Sequence, residues 1–99
     1  MSKKFYSDYA GHCMRFYARY TEKPDFNTDA DRENWYACEA ALREFSPEER
    51  DYLIAIYRER DTTADNIYQV AKKNDIDQKT LWHLSKRLES LIAKRRGLI

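Results

Sequence analysis

The sequence predicts an all-α domain, a compact bundle of about five helices ending in a helix-turn-helix. Three observations predict it. Only two glycines and two prolines occur in 99 residues, while good helix formers are plentiful, so long uninterrupted helices are expected. Apolar residues recur three and four apart along most of the chain, which is the helical period and not the alternation of a strand. Finally, the stretch from Ile67 to Leu88, IYQVAKKNDIDQKTLWHLSKRL, sets Ala71, Ile76, Leu81 and Leu84 at the offsets a helix-turn-helix needs. The alanine permits close approach of two helices, the isoleucine plugs the turn, and the two leucines share the inner face of the second helix. A chain of this length makes one domain, 1–99, with a single modest core. Residues 1–45 read as an aromatic and acidic helical pair, and 46–99 as the helix-turn-helix half.

The first helix is expected from about Lys3 to Tyr20. Phe5, Tyr9, Cys13, Phe16 and Tyr20 form one stripe, widened by Tyr6 and Tyr17. Pro24 breaks the helical pattern after Tyr20, because proline disfavours helix in the residue before it. The second helix opens at Asn27 or Thr28, either of which can cap it, with Asp29 and Asp31 at the positive end of its dipole. It runs through Trp35, Cys38, Ala41 and Leu42 to near Phe45. Ser46-Pro47-Glu48-Glu49 is a start signal for the third: serine cap, proline in the first turn, and Glu49 completing a capping box. Tyr52, Leu53, Ile56 and Tyr57 supply its buried face. A fourth helix begins at Thr62 or Thr63, and Asp77 caps a fifth that extends to Arg95. On the fifth, Leu81, Leu84, Leu88 and Leu91 keep helical spacing, with Ile92 alongside.

The net charge is only +1, so charge alone does not announce a polyanion partner. Its distribution is uneven. From Asp25 to Asp51 nine acidic residues stand against Arg32, Arg43 and Arg50, whereas from Ile76 to Ile99 six basic residues stand against Asp77 and Glu89. Such a dipolar chain suits a C-terminal third laid on DNA and a middle turned to solvent or to a basic protein. Cys13 and Cys38 are too far apart for a CxxC pair, and the N-terminal MSKK leads into aromatic and polar residues instead of an apolar run. No segment approaches membrane-spanning length. The expectation is a cytoplasmic protein without a membrane partner, its thiols serving as small core residues.

Enzymatic signals are poor, and the chain reads as a non-enzyme without cofactor or metal. His12 and His83 lie about seventy positions apart, in no zinc-type spacing. His12, Cys13 and Cys38 make a weak metal set, since adjacent residues on a helix diverge by about 100° and closed zinc sites take four placed ligands. Gly11 and Gly97, the only glycines, build no phosphate loop. The many aromatics, interleaved near the N-terminus with Lys3, Lys4, Arg15 and Arg19, fit a helical core first, and base stacking or a tyrosine-lined partner surface second.

The fifth helix turns Gln78, Lys79, Trp82, His83 and Lys86 outward, where a recognition helix meets a major groove. Trp82 has two readings: it packs sideways on another helix, or it stands exposed beside His83. Lys94-Arg95-Arg96 suits the negative end of the helix dipole and equally suits phosphates.

With Phe45-Ser-Pro-Glu-Glu-Arg50 leading into Leu53, Ile54, Ile56 and Tyr57, and Val70-Ala71, Ile76-Asp77, Leu81, Arg87-Leu88 and Ile92 after them, the C-terminal half resembles region 4 of bacterial sigma factors and the small phage-borne regulators that share that domain. The resemblance covers about half of the chain and is a hydrophobic pattern. It implies a last helix that reads promoter DNA, with Gln78, Lys79, Trp82, His83 and Lys86 on base edges and Arg87 on a phosphate, and earlier helices that contact polymerase or regulators. One departure is Asp75, preceded by Asn74, at the turn position that family usually gives to glycine; both residue types tolerate left-handed geometry.

The leading expectation is a small DNA-binding transcriptional regulator of phage or mobile-element type, acting on double-stranded DNA. The alternative is a protein-interaction module on the same scaffold. It would inhibit a host nucleic-acid-binding protein, RNA polymerase or another, through Asp29, Asp31, Glu33, Glu39 and Glu44. Homodimerisation through the fifth helix is compatible with either.

Overall fold

Each of the five predicted helices is present, and the last four begin at caps that the residues foretell. The structure, a computed structural model, describes residues 3–59 and 62–99. The side chains of residues 3–5, and so the place of Phe5 in the predicted stripe and of Lys3 and Lys4 beside it, lie outside the described residues. The helices are α1 (Lys3–Ala18), α2 (Asp29–Leu42), α3 (Pro47–Arg58), α4 (Thr63–Asn74) and α5 (Gln78–Arg95). No strand occurs among the described residues.

Thr28 is the cap of α2, its side chain accepting from the Asp31 N–H. Ser46 and Glu49 form the reciprocal capping box of α3, with bonds of 2.9 and 3.2 Å. Thr62 caps α4 and Asp77 caps α5. Two helices stop earlier than periodicity predicts. After Ala18 the N–H groups of Arg19 and Tyr20 bond three residues back, to Phe16 and Tyr17. After Leu42 those of Glu44 and Phe45 do the same. Each final turn tightens in this way, satisfying end carbonyls that an α-helix leaves open.

Between α4 and α5 the chain turns at Asp75, whose φ of 55° and ψ of 51° are left-handed. Asn74 Nδ2 donates to the Val70 carbonyl at 2.9 Å, and the Ile76 N–H donates to that of Ala71. Ile76 is half-buried over the turn, packed against the core cluster to which fully buried Ile67 and Leu81 belong.

The last helix, α5, is the hub: it packs on all four others, and α1 bridges α2, α3 and α5. The radius of gyration, 12.9 Å, is that of one globule of about 100 residues. Met14, Leu53, Ile56, Ile67, Leu81, Leu88 and Ile92 are sealed from solvent with both cysteines. Each such aliphatic side chain contributes about 1.5–3 kcal/mol on burial. Burial pushes the Cys13 thiol up to about 11 and Cys38 higher still, so both stay neutral.

Two faces are rotated from their predicted positions. In α1 the innermost residues are Ala10, Cys13, Met14 and Ala18, whereas Tyr9, Phe16 and Tyr17 are half-buried and Tyr20 is exposed. Three neighbouring helices crowd α1, so small residues occupy the closest approach and the rings reach over its edges. In α5 the inner line runs Leu81–Ser85–Leu88–Ile92, with Glu89 beside it. Leu84 and Leu91, expected to point inward, are half-buried on its flank. Among the described residues no helix is long and apolar enough to cross a membrane.

Candidate nucleic-acid interface

Glu89 decides the electrostatics of α5. It is the only acidic residue within the helix, and its side chain is 8% exposed. Ser85 lies one turn before it and Tyr57 stands opposite on α3. The Tyr57 hydroxyl donates to Glu89 Oε2 at 2.7 Å and lies 2.6 Å from Ser85 Oγ. Ser7 of α1 donates to Glu89 Oε1. A buried carboxylate needs such donors, because leaving it unpaired is costly. Burial, with the Glu89 charge second, holds the Tyr57 phenol well above its ordinary 10.0. The network therefore turns the one negative charge of α5 into the core.

What remains outside is basic or neutral. Gln78, Lys79, His83, Lys86, Arg87, Lys94 and Arg95 are all exposed. At about 100° per residue, Lys79, His83, Lys86, Ser90 and Lys94 follow one strip opposite the Leu81–Leu88 line, and Arg87 borders it. Lys86 Nζ lies 3.7 Å from Glu89 Oε1 and 6.0 Å from the Trp82 ring, its side chain still 64% exposed. Arg87 stacks its guanidinium 4.8 Å above the Phe45 ring. That contact holds the charge at a defined place while leaving its edge to solvent.

Trp82 takes the sideways reading: it is half-buried and packed against the core edge. Arg96 is not a free cation. Its Nε donates to Asn34 at 2.6 Å, one terminal nitrogen pairs with Glu33 at 2.6 Å, and the other reaches the Tyr9 hydroxyl at 3.4 Å. It ties the end of α5 to α1 and α2 and is removed from the phosphate candidates. Lys72 and Lys73, absent from the candidates that the sequence pattern offers, are exposed in the last turn of α4, just before the turn into α5. Their position as a lysine pair next to the Asn74-Asp75 turn is the signal that points to them.

The acidic candidates do not gather. Asp29 is exposed and pairs with Arg32 at 3.6 Å. Asp31 sits over the Thr28 cap, Glu33 is held by Arg96, Glu39 is half-buried beside the Tyr17 phenol, and Glu44 stands exposed past the end of α2. At about 100° per residue, Asp29 and Glu33 share one side of α2, while Asp31 and Glu39 lie on another, about 80° from each other. Comparison of the chain with protein-family models, with curated proteins and with solved structures found no match.

Proposed function

We propose that this protein is a small transcriptional regulator that binds double-stranded DNA, with α4 and α5 acting as a helix-turn-helix of the sigma region 4 type and α5 as its recognition helix. The observation that carries the reading is the inward turn of Glu89, which leaves the outer strip of α5 without a negative charge. Lys79, His83, Lys86 and Arg87 supply donors at spacings suited to base edges and phosphates, and Lys72, Lys73 and Lys94 extend the positive edge. Gln78 heads the helix, where recognition helices make base contacts. Trp82, being half-buried, shapes the rim of this surface more than it reads a base.

The test is duplex binding by fluorescence anisotropy across a salt series. Each phosphate neutralised should contribute about −0.9 to the slope of log affinity against log salt. Replacing Lys79 and Lys86 by alanine should weaken binding at low salt and flatten that slope by about 1–2. Wild-type protein that shows no salt-sensitive duplex binding sinks the proposal.

One observation favours a second reading, that of a protein-interaction module. A groove of about 650 Å³ runs between α3 and α4, its lining including Glu48, Asp51 and Glu59 against one cation, Lys73, with Tyr52, Ala55 and Val70 as its apolar part. That chemistry complements a basic, amphipathic segment of another protein. Capture of a protein from nuclease-treated lysate, lost when the three acids are neutralised, would favour this reading over DNA.

A further inference from the structure

Two hollows of about 400 and 320 Å³ lie side by side where α1, α2 and α3 meet, sharing Tyr17, Glu39 and Ile54 in their walls. Arg50 lines the first, with Arg43; Trp35 lines the second, with Tyr20. Among the described residues, two buried side-chain nitrogens have no hydrogen-bond partner, and these are Nε1 of Trp35 and Nε of Arg50. Both thus belong to residues of the same crevice. Trp35 is 4% exposed, and none of the rings around it, Phe16, Tyr17, Tyr20 and Phe26, hydrogen-bonds its N–H. Buried donors in native proteins are nearly always paired. These two lie on the walls of adjoining hollows and have almost no accessible surface, so an acceptor from outside the chain would reach them as the crevice walls shift.

The charge of the crevice narrows that acceptor. Although the crevice borders the acidic stretch from Asp25 to Asp51, Lys23, Arg43, Arg50 and Arg58 outnumber Glu39 and Asp51 around the two hollows. A guanidinium prefers a charged, planar acceptor, while the Tyr17, Tyr20 and Trp35 walls prefer a flat ring. We propose that the crevice between α1, α2 and α3 is a binding site for a small aromatic carboxylate, its ring against the aromatic wall and its carboxylate toward Arg50 and the Trp35 indole. The site contains no residue of α5 and does not depend on the DNA reading.

The experiment is an NMR titration of ¹⁵N-labelled full-length protein with benzoate, following the side-chain N–H signals of Trp35 and Arg50. Benzylammonium tests the ring with the opposite charge, and acetate tests the charge without the ring. The Trp82 indole serves as an internal control. With benzoate, the two signals should move downfield and saturate below about 10 mM, the range open to so small a ligand, while Trp82 stays still. Arg50→Gln should weaken binding about tenfold or more, and Tyr20→Ala, at an exposed ring, should weaken it less without endangering the fold. Absence of saturation overturns the proposal, as does equal response to acetate or benzylammonium, or unchanged affinity in Arg50→Gln. A persistent water contact at the Trp35 N–H under saturating benzoate also overturns it, since water would then be the acceptor.

Discussion

Replacing Tyr57 by phenylalanine isolates the network that turns Glu89 inward. The ring stays buried and only the hydroxyl is lost, with its 2.7 Å bond to Glu89 Oε2 and its 2.6 Å contact with Ser85 Oγ. A hydrogen bond to a charged acceptor contributes about 1.5–3 kcal/mol, and one between neutral groups about 0.5–1.5 kcal/mol. Ser7 and Lys86 still serve the other carboxylate oxygen, so the loss falls in the lower part of the summed range, at about 2–3 kcal/mol. For a domain of this size that corresponds to a fall in Tm of roughly 10–15 °C. Urea unfolding followed by circular dichroism should show a lower midpoint at unchanged slope. Pairing the change with Glu89→Gln in a double-mutant cycle should return a coupling of at least about 1 kcal/mol. A loss under about 0.5 kcal/mol, with no coupling, would mean that Glu89 stands in solvent and that the outer side of α5 carries a negative charge.

Stability should fall at alkaline pH. Burial raises the Cys13 thiol to about 11 and Cys38 beyond it from 9.0, and raises Tyr17 to about 12 and Tyr57 well past 10.0. Above pH 9 the unfolded chain sheds protons that the folded one keeps. Stability is therefore complete below about pH 9 and declines by about 1.4 kcal/mol per pH unit for each group, thiols first and phenols from pH 10. The Cys13→Ala, Cys38→Ala double variant should delay the onset to about pH 10, and a flat wild-type profile to pH 10.5 in urea titrations would contradict this. At the left-handed turn, Asp75→Gly should raise Tm by a few degrees, corresponding to about 0.5–1 kcal/mol, while Asp75→Val should lower it. Equal Tm values for the two variants would show that the turn does not need positive φ.

Much of the fold was legible because it is locally encoded. The caps at Thr28, Ser46, Thr62 and Asp77 act within three residues of themselves, and Asp75 takes the left-handed conformation that a turn before Ile76 demands. What stayed hidden depends on which faces meet. Periodicity assigned Leu84 to the inner face of α5, but Tyr57 reaches across from α3 and brings Ser85 and Glu89 inside, rotating that face. Glu89 lies four residues after Ser85 and eight after Leu81, so its register with the apolar line was visible, whereas the hydroxyl that makes its burial tolerable was not. Arg96 looked like another terminal cation until Asn34, Glu33 and Tyr9 closed on it from two other helices. The acidic span of α2 looked like one surface in sequence and is several in space.

In the proposed reading the outer strip of α5 is a DNA-binding surface. Its most direct test is chemical-shift mapping of the ¹⁵N-labelled protein with a mixed-sequence 20-base-pair duplex at low salt. Saturable shifts are expected at Lys79, His83, Lys86 and Arg87, continuing onto Lys72 and Lys73, with α2 and Arg96 unmoved. Shifts centred on α2 or on the α3–α4 groove, or none along α5, would contradict it.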